Sequence, residues 1–117
     1  MKIKHISPPR TFKVGAKKKI NITHTADVSL DENEQVTFVG DDNSEIDIVK
    51  KSWGYYLTPS INKRLLSFGI FTYLVQNSRG NIFVMAVEKK KLKEFMEYIT
   101  FTEQKIIINL SEIYCAQ

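Results

Sequence analysis

The chain has 117 residues, 43% of them hydrophobic and 26% charged, with a formal net charge of +4. That is the composition of one ordinary globular domain, with room for a continuous core but not for a large cavity as well. No apolar run approaches the roughly 18 residues of a membrane span, and the "MKIKHISPPR" start lacks the apolar stretch of a secretory signal.

The charge is segregated along the chain. Residues 1–26 carry seven basic and no acidic groups, residues 27–49 eight acidic and no basic groups, and residues 50–117 ten basic and five acidic. The acidic block is expected to lie against the basic segments, within the fold or across a homodimer interface. A nucleic-acid binder would carry a basic surface without such a block beside it. The single Cys115 cannot form an internal disulfide. With no export signal, the expected location is cytoplasmic.

In chain order, residues 1–16 read as an irregular N-terminal segment, because Pro8 and Pro9 forbid a helix. Residues 17–117 read as a single α+β domain. From Lys19 to Leu30 the chain alternates, with Ile20, Ile22, His24, Ala26, Val28 and Leu30 on one face. That period of two predicts a half-buried strand, bent or bulged midway. "QVTFVG" (35–40) and "EIDIVKKSW" (45–53) predict a hairpin around Asp41-Asp42-Asn43, residues that tolerate tight turns.

Thr58 and Pro59 suit a helix start, Thr as cap and Pro in the first position. Ile61, Leu65 and Phe68 then share one helical face, and Gly69 closes a helix over 59–68. "IFTYLVQN" and "NIFVMAVE", joined by Ser78-Arg79-Gly80, predict a hairpin in the sheet centre, covered on both sides. Leu92, Phe95, Met96 and Ile99 predict a second helix over 90–100, and "QKIIINL" (104–110) a last strand. The fold class is α+β, with a mainly antiparallel sheet of five to six strands and two helices.

Catalytic and cofactor signatures are missing. Five glycines form no phosphate loop, and the two histidines, His5 and His24, do not make a metal set. No cofactor and no metal are expected. His24 lies on the apolar strand face, where a hydrogen-bonded buried histidine is the simpler reading than a ligand. Asp41, Asp42, Glu45 and Asp47 cluster, but their spacing fits the solvent face of an edge hairpin as well as a catalytic pair.

The densest stretch is "KKSWGYYLTPSINKRL" (50–65). Trp53, Tyr56, Thr58, Ser60, Asn62 and Arg64 form the candidate binding site. In an extended chain Trp53 and Tyr55 share one face and Tyr56 takes the other. A helix start beside Arg64 favours anions, and the aromatics can stack a sugar or base. The structural alternative makes the aromatics core, Thr58 a cap and Arg64 the partner of a carboxylate in segment 41–47.

Trp53-Gly54-Tyr55-Tyr56, Thr58-Pro59-Ser60-Ile61-Asn62 and Arg64-Leu65, with "ADVSL", "EQVTF" and "LVQN", resemble a small family of uncharacterised bacterial proteins of about this length. The resemblance runs from about Thr23 to Glu88. Members of that family look like companions of enzymes of surface-glycan or modified-sugar biosynthesis. It implies a sugar- or nucleotide-related accessory role, with a small anionic ligand or a biosynthetic partner protein, and supplies no catalytic residue. Two other functions fit the residues. One is a small enzyme using His24 with Glu45 or Asp47 and Tyr56 as acid. The other is a nucleic-acid-binding domain using Lys17, Lys18, Lys19, Lys50, Lys51, Arg64 and Lys89 to Lys91.

Overall fold

A computed structural model describes residues 1–15, 17 and 19–113. Cys115 and Lys18 lie outside the described residues. Among the described residues, no helix is long and apolar enough to cross a membrane.

The N-terminal segment is not irregular. Strand β1 (Lys2–Val14) pairs antiparallel with β2 (Ile20–Ser29) in a two-stranded ribbon. Pro8 and Pro9 do exclude a helix, but extended backbone accepts them where they need not donate. They sit where the register jumps from His5 opposite Ala26 to Arg10 opposite His24. This is the bulge that the long alternation of β2 suggested. Ile3 lies opposite Val28, and Phe12 opposite Ile22.

Strands β3 (Gln35–Val39) and β4 (Glu45–Lys51) form the expected hairpin, with Asn43 in the left-handed region at φ 64°. A further strand, β5 (Gly54–Thr58), follows a two-residue turn at Ser52 and Trp53 and pairs with the other edge of β4. Gly54, at φ 141°, supplies a backbone conformation that side chains disfavour. Thr58 therefore ends a strand and does not cap a helix. The residue before a proline is driven to extended backbone, and five residues laddered on an open edge outweigh one isolated helical turn.

The first helix is correspondingly short. α1 covers Arg64–Ser67, not 59–68. Ser60 holds its start, the hydroxyl accepting the Arg64 N–H at 3.1 Å and the carbonyl accepting the Leu65 N–H at 2.9 Å. Leu65 is buried, whereas Ile61 stays exposed. Gly69 closes the helix as expected, at φ 75°, with its N–H on the Leu66 carbonyl at 2.8 Å.

A third sheet holds β6 (Ile70–Gln76) between β7 (Ile82–Glu88) and β8 (Lys105–Asn109), all antiparallel. α2 (Leu92–Phe101), entered through a 3-10 turn at Lys89–Lys91, matches the predicted second helix. Tyr73, Val75, Val87 and Ile99 are the buried centre, with Phe71, Met85, Leu92, Phe95 and Ile106 packed around them. Burial raises the Tyr73 phenol above its ordinary pKa, and the Glu112 carboxylate adds to the shift.

The fold is thus α+β and mainly antiparallel, but among the described residues eight strands form three small sheets, not one sheet of five or six. Coverage of β6 and β7 on both faces is also corrected. α2 covers one face, while Ile82, Val84 and Ile108 on the other are 56%, 62% and 37% exposed. The radius of gyration is 16.0 Å, against about 13 Å for a compact chain of this length. Three separate sheets, with a small buried cluster between the third and α2, account for the extension.

Two predictions concern this framework. Thr72 is buried in β6, and its hydroxyl has no hydrogen-bond partner among the described residues. Thr72→Val keeps the shape and removes the stranded group, so it should raise the unfolding free energy by about 1 kcal/mol in urea titrations. A loss of stability would show that the hydroxyl is satisfied. Asp42 has its carboxyl held below the ordinary aspartate range, first by hydrogen bonds from the Ser44 hydroxyl and amide and then by the charge of Lys90. Its contribution is present above the ordinary pKa of about 3.9 and is lost as pH falls through the lower folded value. Asp42→Asn should therefore flatten the acid limb of the denaturation midpoint against pH. An unchanged limb would contradict the assignment.

Candidate functional site

The predicted cluster is not a pocket. Trp53 sits at the tip of the β4–β5 turn, 69% exposed, and stacks on Tyr56 with ring centroids 6.3 Å apart and planes 19° apart. The expected pairing of Trp53 with Tyr55 fails because Trp53 lies in the turn, where the period of two does not apply. Nor are these aromatics core. Arg64 does meet the expected acidic segment, with Glu45 at 3.8 Å, and its guanidinium lies 5.5 Å from the Phe68 ring centre. The Ser60 hydroxyl is occupied by the Arg64 N–H, and Thr58 lies opposite Asp47 in the sheet. Asn62 is exposed in the turn before α1. None of the six lines either of the two cavities described below.

His24 is partly exposed, not buried. Its Nε2 lies 2.8 Å from Asp27 Oδ1 and 3.2 Å from the Ala26 carbonyl oxygen. Asp27, three residues on, belongs to the opposite face of a regular strand, but the register shift falls between these residues. His24 makes no ion pair with Glu45 or Asp47. Asp47 is not on a solvent face: β4 is the central strand of its sheet, and Asp47 is 3% exposed between Thr37 and Thr58. Among the described residues, no three His, Cys, Asp or Glu side chains gather as a metal site.

Four of the cations named for nucleic acid have local contacts. Lys51 donates to Asn33 Oδ1, Lys50 lies over the Tyr55 ring at 4.9 Å, Arg64 meets Glu45, and Lys90 meets Asp42 and Glu88. The expected match of acidic and basic segments is likewise partial. Asp31 and Glu34 pair with the N-terminal amino group and His24 meets Asp27, but no Lys or Arg of residues 1–26 makes an ion pair among the described residues.

Two concave features were not legible in the sequence. The first is an apolar trough of about 340 Å³ between the end of β2 and the β3–β4–β5 sheet. Val28 and Leu30 form one wall, and Val36, Phe38, Ile48 and Tyr55 the other. The second is a cleft of about 470 Å³ where the Val14–Ile20 end of the β1–β2 ribbon meets the β6–β7 turn and the end of α2.

Lys13 enters this cleft from β1 and Arg79 from the β6–β7 turn; none of the residues lining it is acidic. Asn77 Oδ1 accepts the N–H groups of Arg79 and Asn81, each at 3.0 Å. That bond fixes the turn and leaves the Asn77 amide nitrogen as a donor. Gln104 donates to the Thr102 hydroxyl at 2.8 Å, which sets its side-chain orientation. Phe83 and Met85 supply an apolar floor, and Tyr98 a phenol. Two cations, carboxamide donors and an apolar floor can hold a small anionic ligand with a ring. These residues come from positions 13 to 104, so no local motif could have announced them. The Asn77–Asn81 turn was predicted only as a hairpin.

No family model, no curated protein and no solved structure matches the chain.

Proposed function

We propose that this chain is a small binding module, not an enzyme, and that its cleft holds a phosphorylated sugar- or nucleotide-type ligand. The observation that carries the reading is the pairing of Lys13 and Arg79 in one cleft with no lining carboxylate. Neither cation has a carboxylate partner among the described residues. Two uncompensated cations in a concave site attract an anion, and a guanidinium suits phosphate geometry. The volume of about 470 Å³ falls within the roughly 300–1,000 Å³ of small-molecule sites. Phe83 and Met85 offer apolar contact to a sugar ring or base. The family resemblance of residues 23–88 points to the same ligand class, and to service beside a biosynthetic partner. The site differs from the aromatic cluster at Trp53, whose Arg64 is engaged by Glu45.

The test is a thermal-shift series with UDP-glucose, glucose 1-phosphate, pyrophosphate and unphosphorylated glucose. A ligand of the native state raises the midpoint by mass action. At least one phosphorylated probe should raise it, glucose should not, and the Lys13→Ala, Arg79→Ala double variant should lose the response. The reading fails if no phosphorylated probe shifts the midpoint, or if the double variant responds as the parent does.

A further inference from the structure

The geometry points to a second copy of this chain as the occupant of the apolar face of the β3–β4–β5 sheet. The register places Val36 opposite Ile48 and Ile48 opposite Leu57, Phe38 opposite Ile46, and Lys50 opposite Tyr55. Directly opposed residues share a face, so six apolar side chains stand together on one side of the sheet. Phe38, Tyr55 and Leu57 are 56%, 59% and 63% exposed. Across the trough the ribbon continues the surface with the opposed pair Ile3 and Val28, 50% and 43% exposed.

At about 100 Å² of exposed surface each, taking half of a large side chain, these five residues present on the order of 500 Å². That is near the upper end of the largest patch on a monomer, about 300–600 Å². It is more than half of the roughly 800 Å² that each partner gives to a standard interface. The polar rim supplies the remainder.

Charge selects the partner. Arg10 of the ribbon makes no ion pair among the described residues, and neither do Glu32 and Asp41 of the turns beside β3. Lys2 and Lys4, opposite Ser29 and Asp27, stand on the other face of the ribbon from Ile3. A second copy carries both signs. A two-fold arrangement sets the ribbon of each protomer near the acidic turns of its partner while the troughs close on each other. An acidic partner or an anionic bilayer would satisfy the ribbon and be repelled by the turns. A basic partner would do the reverse.

The test is sedimentation velocity on the full chain from about 1 to about 100 µM, which resolves dissociation constants in that range. The parent chain should reach twice the 13.5 kDa mass of one copy. The Phe38→Glu, Leu57→Glu double variant should sediment as a monomer while keeping the parent's cooperative thermal transition. Should that variant unfold, the Arg10→Glu variant decides. It should weaken self-association at least tenfold and regain it when mixed with a Glu32→Lys, Asp41→Lys chain.

A parent chain that is monomeric throughout overturns the inference. If that monomer co-sediments with phosphatidylserine-containing vesicles, the face belongs to a membrane; if it does not, it belongs to a different protein. Folded variants that dimerise as the parent does also overturn it. The cleft lies elsewhere, so phosphorylated probes should still bind the monomeric variant, and either proposal can fail without the other.

Discussion

Tyr73→Ala should lower the unfolding free energy by about 3–5 kcal/mol, the range for deleting a large buried aromatic side chain. Tyr73 is 6% exposed, stacks on Phe95 at 5.2 Å and meets the edge of Phe71 at 6.4 Å. It stands on the middle strand of its sheet, between Met85 on β7 and Asn109 on β8, so its loss opens space under α2. Among the described residues the buried centre is Tyr73, Val75, Val87 and Ile99, a small cluster with little to collapse into the gap. Domains of this size have about 5–15 kcal/mol of stability in total, so the variant should be at the edge of folding at 37 °C. Tyr73→Phe keeps the ring and should recover most of the loss.

The informative contrast is Trp53→Ala. Trp53 is the largest side chain in the sequence, but it is 69% exposed in a turn. Its removal should change stability by no more than about 0.5 kcal/mol. Urea denaturation of the three variants decides. A small effect at Tyr73 with a large one at Trp53 would mean that the core lies elsewhere.

Arg79→Ala should weaken binding of the phosphorylated probe about 10- to 100-fold, the loss of one charge-assisted hydrogen bond of about 1.5–3 kcal/mol. The fold of the turn should survive, because Arg79 contributes its backbone N–H to Asn77 Oδ1 and not its side chain. Arg79→Lys keeps the charge but not the fork, and should recover only part of the affinity. Binding to the parent chain should fall as salt rises, and less steeply in the variant. Calorimetric titration against whichever phosphorylated probe raises the parent's thermal midpoint measures all three. Equal affinity of parent and Arg79→Ala would remove Arg79 from the site.

The elements that could be read from the sequence are those whose local pattern agrees with their tertiary surroundings. β2, the β3–β4 hairpin, the β6–β7 hairpin, α2 and β8 each have a period or a turn signal of their own, and each formed close to its expected bounds. Gly69 needed only its own backbone freedom to end α1. β1 and β5 were missed for one shared reason. Each gains its hydrogen bonds from a strand already present, β2 for one and β4 for the other. Nothing within residues 2–14 or 54–58 states that such an edge is open. The same omission lengthened the expected first helix, because Thr58 and Pro59 look alike to a helix start and to a strand end.

The candidate site divides along the same line. Arg64 did find a carboxylate of the acidic segment, while Thr58 ended a strand instead of capping a helix. Whether the aromatics there were buried depended on which sheet covers which. The sheets here stay apart, so Trp53 and Tyr56 stack in the open. Lys13, Arg79, Asn77 and Gln104 meet only because the ribbon end reaches the β6–β7 turn and the end of α2. Their convergence is a property of packing between distant segments. Residue chemistry over a few positions sets periodicity, turns and the segregation of charge. Which faces are covered, which cations stay unpaired and where a concave surface opens depend on contacts across the whole chain, and those come into being only when the sheets are assembled.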